Sequence, residues 1–393
     1  MKPARLPIPP PGRRATEAAI RAGRLRGGAR DVNRRRGVRT VARPAATAYL
    51  SRGDQEGPMA ETEPRDASTE ATPLVTIFGG SGFVGRYVAQ RMAKRGWRVR
   101  VAVRRPNEAL FVRTYGPLGQ VAPVQANIRD DESCRNAIAG AKAVVYCVGV
   151  LYNAGKNTFQ AVQAEGPDRV ARLAAEAGVE RFALVSAIGA DPESPSEYGR
   201  TKAAGEAAVK ARFPSATILR PSIVFGPEDD FFNRFAAMTR FSPAIPVVGG
   251  DAKFQPVYVD DVAEAVARAV DGTAEAGATY ELGGPEVESF RGLLKRMLRH
   301  ICRKRLIVEI PRGAAMLQGA VLEQAARIGI APPITRDQVK LLARDNVVSE
   351  GAKTFADLGI TPTAMASILP VYLYCYRRHG QYDRNAPAGV QEE

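Results

Sequence analysis

From residue 74 the chain alternates short β-branched runs with stretches whose apolar residues recur three and four positions apart. This is the pattern of a parallel sheet with helices on both faces. Strands are predicted at 75–78, 99–103, 121–125, 143–148, 182–186 and 217–219. Helices are predicted at 83–95, where Val84, Val88 and Met92 share one face, and at 168–177 and 203–212. The fold class is therefore α/β, with a doubly wound parallel sheet. After Gly226 the regularity weakens. A helix at 262–270 and a strand at 279–282 return, and the rest reads as helical and basic. The expected division is a tail and linker at 1–72, a sheet domain at 73–285 and a smaller, mainly helical lobe at 286–393.

Composition refines this picture at the N-terminus. Of the net charge of +15 over 393 residues, most sits before residue 59, where 14 Lys or Arg face 4 acids; 42 basic and 37 acidic residues follow. That tail has no Phe or Trp and seven prolines, too little apolar surface to fold alone. Three readings stay open: a disordered basic arm for phosphate or anionic lipid, an Arg-rich organellar presequence, or a segment not translated because the start is Met59. Four cysteines, with no CxxC pair, and two histidines give little material for a zinc site, so no metal and a reducing compartment are expected. No run is long and apolar enough to span a bilayer.

Candidate chemistry begins where the first strand runs into Gly79-Gly80-Ser81-Gly82-Phe83-Val84-Gly85 and a helix follows. Gly79 permits a tight turn, Gly82 a close approach of a pyrophosphate to the backbone, and Gly85 close helix–sheet packing, with free N–H groups of the helix start facing the anion. The second strand ends Val103-Arg104-Arg105 instead of in the acid that bonds a ribose hydroxyl, which favours NADPH over NAD. Ser186 closes the fifth strand. Tyr198 and Lys202, four apart on one helical face, fit proton exchange with a carbonyl or alcohol, the lysine lowering the phenol pKa.

In the glycine loop, the Ser186, Tyr198, Lys202 set, RPSIVFGP at 220–227 and QPVYVDDVAEA at 255–265, the chain resembles the extended and atypical branch of the short-chain dehydrogenase superfamily, over residues 74 to about 285. The resemblance implies a Rossmann fold in which Ser81, Phe83 and Val84 complete the cofactor loop. It also implies Asn127 and Ile128 at the adenine, Cys147, Val148 and Gly149 along the cofactor, and Pro221, Ser222 and Ile223 near the nicotinamide. Three positions depart from the usual pattern: Phe78 for a Thr, Gln163 for an Asn and Ala187 for a second Ser. Cofactor binding tolerates these changes better than substrate chemistry does.

A narrower resemblance lies in the segments 114–120, 226–236, 334–339 and 357–360, which look like the dehydrogenase-like accessory-subunit family of respiratory complex I, NADH:ubiquinone oxidoreductase. That family implies NADPH held structurally and complex I subunits as partners. The location implied is the cytoplasmic face of a bacterial inner membrane, or the mitochondrial matrix side if the tail is a presequence. The alternative is an active NADPH-dependent reductase, dehydratase or epimerase; no nucleic-acid partner is expected. Two further expectations concern surfaces. Residues 290–305 read as one basic amphipathic helix suited to an anionic membrane surface or an acidic partner. Phe231, Phe232 and Phe235 are expected to cover the pocket mouth or anchor a partner, unless they pack only between the lobes.

Overall fold

The computed structural model describes residues 72–327 and 335–382. The basic tail, its alternative start and Ile334 lie outside them. Seven strands make one parallel sheet: β1 (Leu74–Phe78), β2 (Arg98–Val103), β3 (Val121–Gln125), β4 (Ala143–Tyr146), β5 (Arg181–Val185), β6 (Thr217–Pro221) and β7 (Thr279–Leu282). The order is β7-β6-β5-β4-β1-β2-β3, so the direction of winding reverses between β1 and β4. In such sheets that switch point opens the crevice where ligands bind.

Alternation along each strand feeds two cores. Val75, Ile77, Val99, Val101 and Val145 face α1 (Phe83–Lys94) and the later helix Val259–Asp271. Phe78, Ala102, Tyr146, Leu184 and Ile218 face α2 (Asp131–Ile138), α3 (Glu165–Glu176) and α4 (Glu197–Arg212). Phe78 is fully buried and stacks on Tyr146 at 6.4 Å, so this departure from the family pattern fills core volume. Thr76, also in the sheet, satisfies its hydroxyl on the Ala137 carbonyl at 2.8 Å.

Several predicted boundaries move. β4 stops at Tyr146, leaving Cys147 and Val148 in the loop, and Ser186 lies one residue past β5. Helix α4 starts at Glu197 instead of 203, because Ser196 caps it through Gly199 N–H at 2.9 Å. A π-helical turn, Gln160–Ala164, precedes α3.

Beyond β6 the chain builds α5 (Phe232–Met238), α6 (Val259–Asp271), α7 (Phe290–His300), α8 (Arg312–Arg327), α9 (Arg336–Leu341) and α10 (Met365–Leu373), with short two-stranded pairs between them. A third core joins α5, α7 and α10 through Phe225, Phe232, Phe290, Leu293, Met297 and Leu369. The chain then recrosses the sheet domain: Phe355 and Leu358 enter the core around α1 and α6, and Lys353 bridges to Tyr280 of β7.

Two expectations about surfaces change here. The helix predicted at 290–305 ends at His300, and its apolar face, Leu293, Leu294, Met297 and Leu298, is buried inside the protein. Phe232 is fully buried, and Phe231 (tilted) and Phe235 (edge-on) pack against Phe290 with ring centres 5.6 Å apart in each case, so the three rings pack between segments of this chain instead of offering an anchor.

Candidate functional site

The glycine loop sits at the switch point. Gly79 has φ +80°, a left-handed conformation that favours glycine, and a Cβ there would come within 3.1 Å of Cys147 and Val148. At Gly85 a Cβ would lie 2.3 Å from the Gly79 carbonyl oxygen, so only glycine lets α1 pack on the turn. Gly82, the N-cap of α1, is different: it is exposed, and a Cβ would meet only the Gly79 oxygen, at 3.1 Å. Its bare backbone leaves an open cradle at a helix start, which fits a pyrophosphate. Ser81, Phe83 and Val84 are half-buried around it.

Arg86 was not expected at this loop. Its guanidinium donates to the carbonyls of Ser81 and Gly82, both at 3.2 Å, lies 5.1 Å over the Phe111 ring and pairs with Glu228 at 3.5 Å. Tyr87 donates to the same Glu228 at 2.8 Å, so the segment 226–236 is tied to α1. The sequence signal was present as the first basic residue after Gly85.

Arg104 and Arg105 are both exposed at the end of β2. Arg104 donates to Asn157 Oδ1 at 3.2 Å, and Arg105 pairs with Glu108 at 2.8 Å. Neither contact is buried, so both heads are available to an anion at small cost. The side chain of Asn127 accepts from Arg129 N–H at 3.2 Å, while the carbonyl of Ile128 accepts from Arg169 at 3.0 Å.

Around Lys202 the structure assembles the proton-handling groups. Its Nζ donates to the Val185 carbonyl at 3.3 Å, lies 5.8 Å from the Tyr198 ring centre, and stands 3.9 Å from where a Cβ on Gly149 would be. Burial pulls the ammonium down to about 8, opposed by the charge of Glu206. Burial also pushes the Tyr198 phenol up to about 12 and the Cys147 thiol up to about 12. The expected lowering of the tyrosine by the lysine is therefore outweighed by desolvation. A protonated phenol acts as a hydrogen-bond donor to an oxygen. Ser186 Oγ is buried without a hydrogen-bond partner among the described residues, a cost that a bound polar group would remove. Open cradle, orphaned hydroxyl and buried lysine together fit a dinucleotide.

Pro221 and Ser222 are buried, and Ile223 is half-buried against the third core. Ser222 spends its hydroxyl on Asn346, 2.6 Å to Oδ1 and 2.9 Å to O. Gln163, in the π-turn, donates to the Val150 carbonyl at 2.8 Å and accepts from Thr201 at 3.0 Å, so the longer side chain bridges the β4 loop to α4.

The C-terminal segment supplies contacts that periodicity could not reveal. Asp337 accepts from the main-chain N–H of Glu197 at 2.7 Å and of Tyr198 at 3.1 Å. Gln338 reaches the Leu151 carbonyl at 3.4 Å, Lys340 the Pro195 carbonyl at 3.2 Å and Asn346 the Ile188 carbonyl at 3.3 Å.

This site belongs to a known class. Residues 75–283 match the NAD dependent epimerase/dehydratase family, more than half of the chain, and the protein belongs to that family. It is 32% identical over 318 residues to the mitochondrial NADH-ubiquinone oxidoreductase 40 kDa subunit of Neurospora crassa, covering 81% of this chain and 83% of that one. It is also 34% identical over 316 residues to the mitochondrial NADH dehydrogenase [ubiquinone] 1 alpha subcomplex subunit 9 of Arabidopsis thaliana, covering 78% and 79%. Among solved structures, the NADPH-dependent quinone oxidoreductase QOR2 of Escherichia coli complexed with NADPH superposes with a TM-score of 0.60 at 18% identity, over 76% of this chain and 98% of that one. That likeness concerns the fold alone.

Proposed function

We propose that this protein is an accessory subunit of respiratory complex I that holds NADPH for stability. The observation that carries the reading is the segment 335–346. It joins the loops after β4, β5 and β6 and the first turn of α4, the elements that border the substrate side of this fold. Hydrogen bonds at all four places tie that side to the chain's own C-terminal region, while the cofactor cradle at Gly82 stays open. Similarity to complex I subunits over four-fifths of the chain supports the partner assignment. The exposed heads of Arg104 and Arg105 support NADPH over NADH. The same reading puts the protein on the peripheral arm, against an anionic membrane surface on the bacterial cytoplasmic or mitochondrial matrix side. No described helix is long and apolar enough to cross a membrane.

Extraction of complex I from the source membranes in mild detergent, followed by native electrophoresis, tests the assignment. The chain is expected to co-migrate with the intact complex, and its deletion to reduce quinone-linked NADH oxidation. A deletion strain with normal complex I, in which the chain never co-migrated, overturns it.

The second reading is an active NADPH-dependent reductase, favoured by the orphaned Ser186 hydroxyl beside the Tyr198 and Lys202 pair. Carbonyl-dependent NADPH oxidation by the wild type that Tyr198→Phe abolishes would support it. A Tyr198→Phe chain that still assembles normally fits the structural role.

A further inference from the structure

The basic residues at 290–305 divide into two groups. On α7, Arg291 pairs with Glu309, and Arg296 pairs with Glu286 and Glu288 at 2.8 Å each, so acids of this chain cancel these two charges, while Lys295 and Arg299 are exposed. Past the helix, main-chain oxygens take the place of the acids. Arg303 donates to the Tyr376 carbonyl at 3.0 Å, Arg305 to the Thr239 carbonyl at 2.9 and 3.1 Å, and Arg240 to the Cys375 carbonyl at 3.0 Å while lying 5.0 Å over the Tyr376 ring. Main-chain oxygens fix these heads without cancelling their charge. Among the described residues no carboxylate pairs with Arg240, Arg303, Lys304, Arg305 or Arg378. Arg303 and Arg240 meet at Cys375 and Tyr376, and Arg305 reaches Thr239 beside Arg240, so the cluster is contiguous in space. Burial and the neighbouring charges of Arg305, Arg240 and Arg378 hold the Arg303 pKa below its usual value.

Large apolar side chains border this cluster where nothing in the fold requires them. Phe241, next to Arg240, is 92% exposed, and Leu306, next to Arg305, is 71% exposed. A fixed cationic cluster flanked by bare apolar side chains matches the boundary of an anionic bilayer, where phosphates meet guanidiniums and rings enter the acyl border. Phe241 and Leu306 are single projecting side chains and not a contiguous apolar patch, which suits insertion at a bilayer border better than the packed apolar centre of a protein interface.

We infer that the surface formed by Arg240, Arg303, Lys304, Arg305 and Arg378 with Phe241 and Leu306 docks on anionic phospholipid. This refines the membrane contact named above, moving it from the helix to the turn and strand beyond it.

Flotation of the purified full chain with vesicles of phosphatidylcholine alone, or mixed with phosphatidylglycerol, tests the inference without complex I. It can therefore fail while the subunit assignment stands, and the reverse also holds. Wild type is expected to bind the mixed vesicles and to lose binding as salt rises. Lys304→Ser and Arg378→Ser, both exposed, should each lower partitioning about fivefold, the factor that corresponds to ~1 kcal/mol per basic residue near an anionic surface. Phe241→Ser should lower it without changing the salt dependence. Arg291→Ser, at a residue paired with Glu309, should bind as wild type does. Equal binding to both vesicle types, unchanged binding of the Lys304, Arg378 and Phe241 variants, or loss of complex I incorporation in those variants without loss of vesicle binding, would overturn the lipid assignment; the last outcome would point to an acidic protein surface.

Discussion

Asp337 holds the first turn of the helix that carries Tyr198: its two carboxylate oxygens accept the main-chain N–H groups of Glu197 and Tyr198, 139 residues apart in sequence from the second. The carboxylate meets the positive end of α4, where an anion is favoured. Asp337→Ala should cost ~1–2 kcal/mol, the range for losing a helix cap. Asp337→Asn, which keeps one acceptor, should cost less. Urea unfolding measures both, and a wild-type midpoint in the Ala variant would show that the contact adds nothing.

The two inner glycines should separate folding from binding. Gly85→Ala places a Cβ against the Gly79 backbone, and overpacking of this kind costs ~1–3 kcal/mol. Gly82→Ser brings its Cβ only to 3.1 Å from the Gly79 oxygen, against 2.3 Å at Gly85, and supplies a good N-cap residue, so melting should change far less than in Gly85→Ala while NADPH affinity falls. Melting curves with and without NADPH check this pair. Cofactor-induced stabilisation should persist in the wild type and vanish in Gly82→Ser.

NADPH selection should depend on Arg104 and Arg105. Changing both to Ala should lower the ratio of NADPH to NADH affinity by ~10-fold or more, since a charge-assisted bond contributes ~1.5–3 kcal/mol before the discount for exposure. Glu108→Gln releases Arg105 from its partner and should tighten NADPH binding. Titration calorimetry with both nucleotides decides the matter; an unchanged ratio in the double variant would shift attention to Arg86.

Asp229 is buried, accepts from Tyr372 at 2.6 Å, and burial pushes its carboxyl up from 3.8 to about 6. The folded chain thus keeps this proton to higher pH than the unfolded chain. The stability contributed by this group falls as pH rises from about 4 to about 6 and is level above, a change of ~3 kcal/mol at most. Above that window the carboxylate accepts from Tyr372 as well as from the main-chain N–H groups of Gly226 and Asn233, and each of these bonds is then charge-assisted. Tyr372→Phe should therefore be more destabilising at pH 7.5 than at pH 5, by about 1 kcal/mol, the difference between charged and neutral hydrogen bonds. Urea unfolding at the two pH values reads the difference directly.

Local pattern determined much of this protein. Two-residue alternation in Val99, Val101 and Val103 marks a strand that feeds one core, and the glycines at 79, 82 and 85 mark a turn whose backbone geometry admits no other residue at two of them. Such features are legible because their physics lies within a few residues: a pleat, a left-handed turn, a helix start. The i to i+4 spacing of Tyr198 and Lys202 likewise placed both on α4, although only burial in the folded chain set their protonation, reversing the expected effect on the phenol. Tertiary structure alone decided the rest. Asp337 and Asn346 reach the site across more than a hundred residues, and no local period encodes such a contact. The apolar face of α7 looked free in sequence because amphipathicity does not say what covers it; the third core does. Whether a basic residue is neutralised also depends on distant partners, which is why the charge of Arg291 is cancelled and that of Arg303 is not.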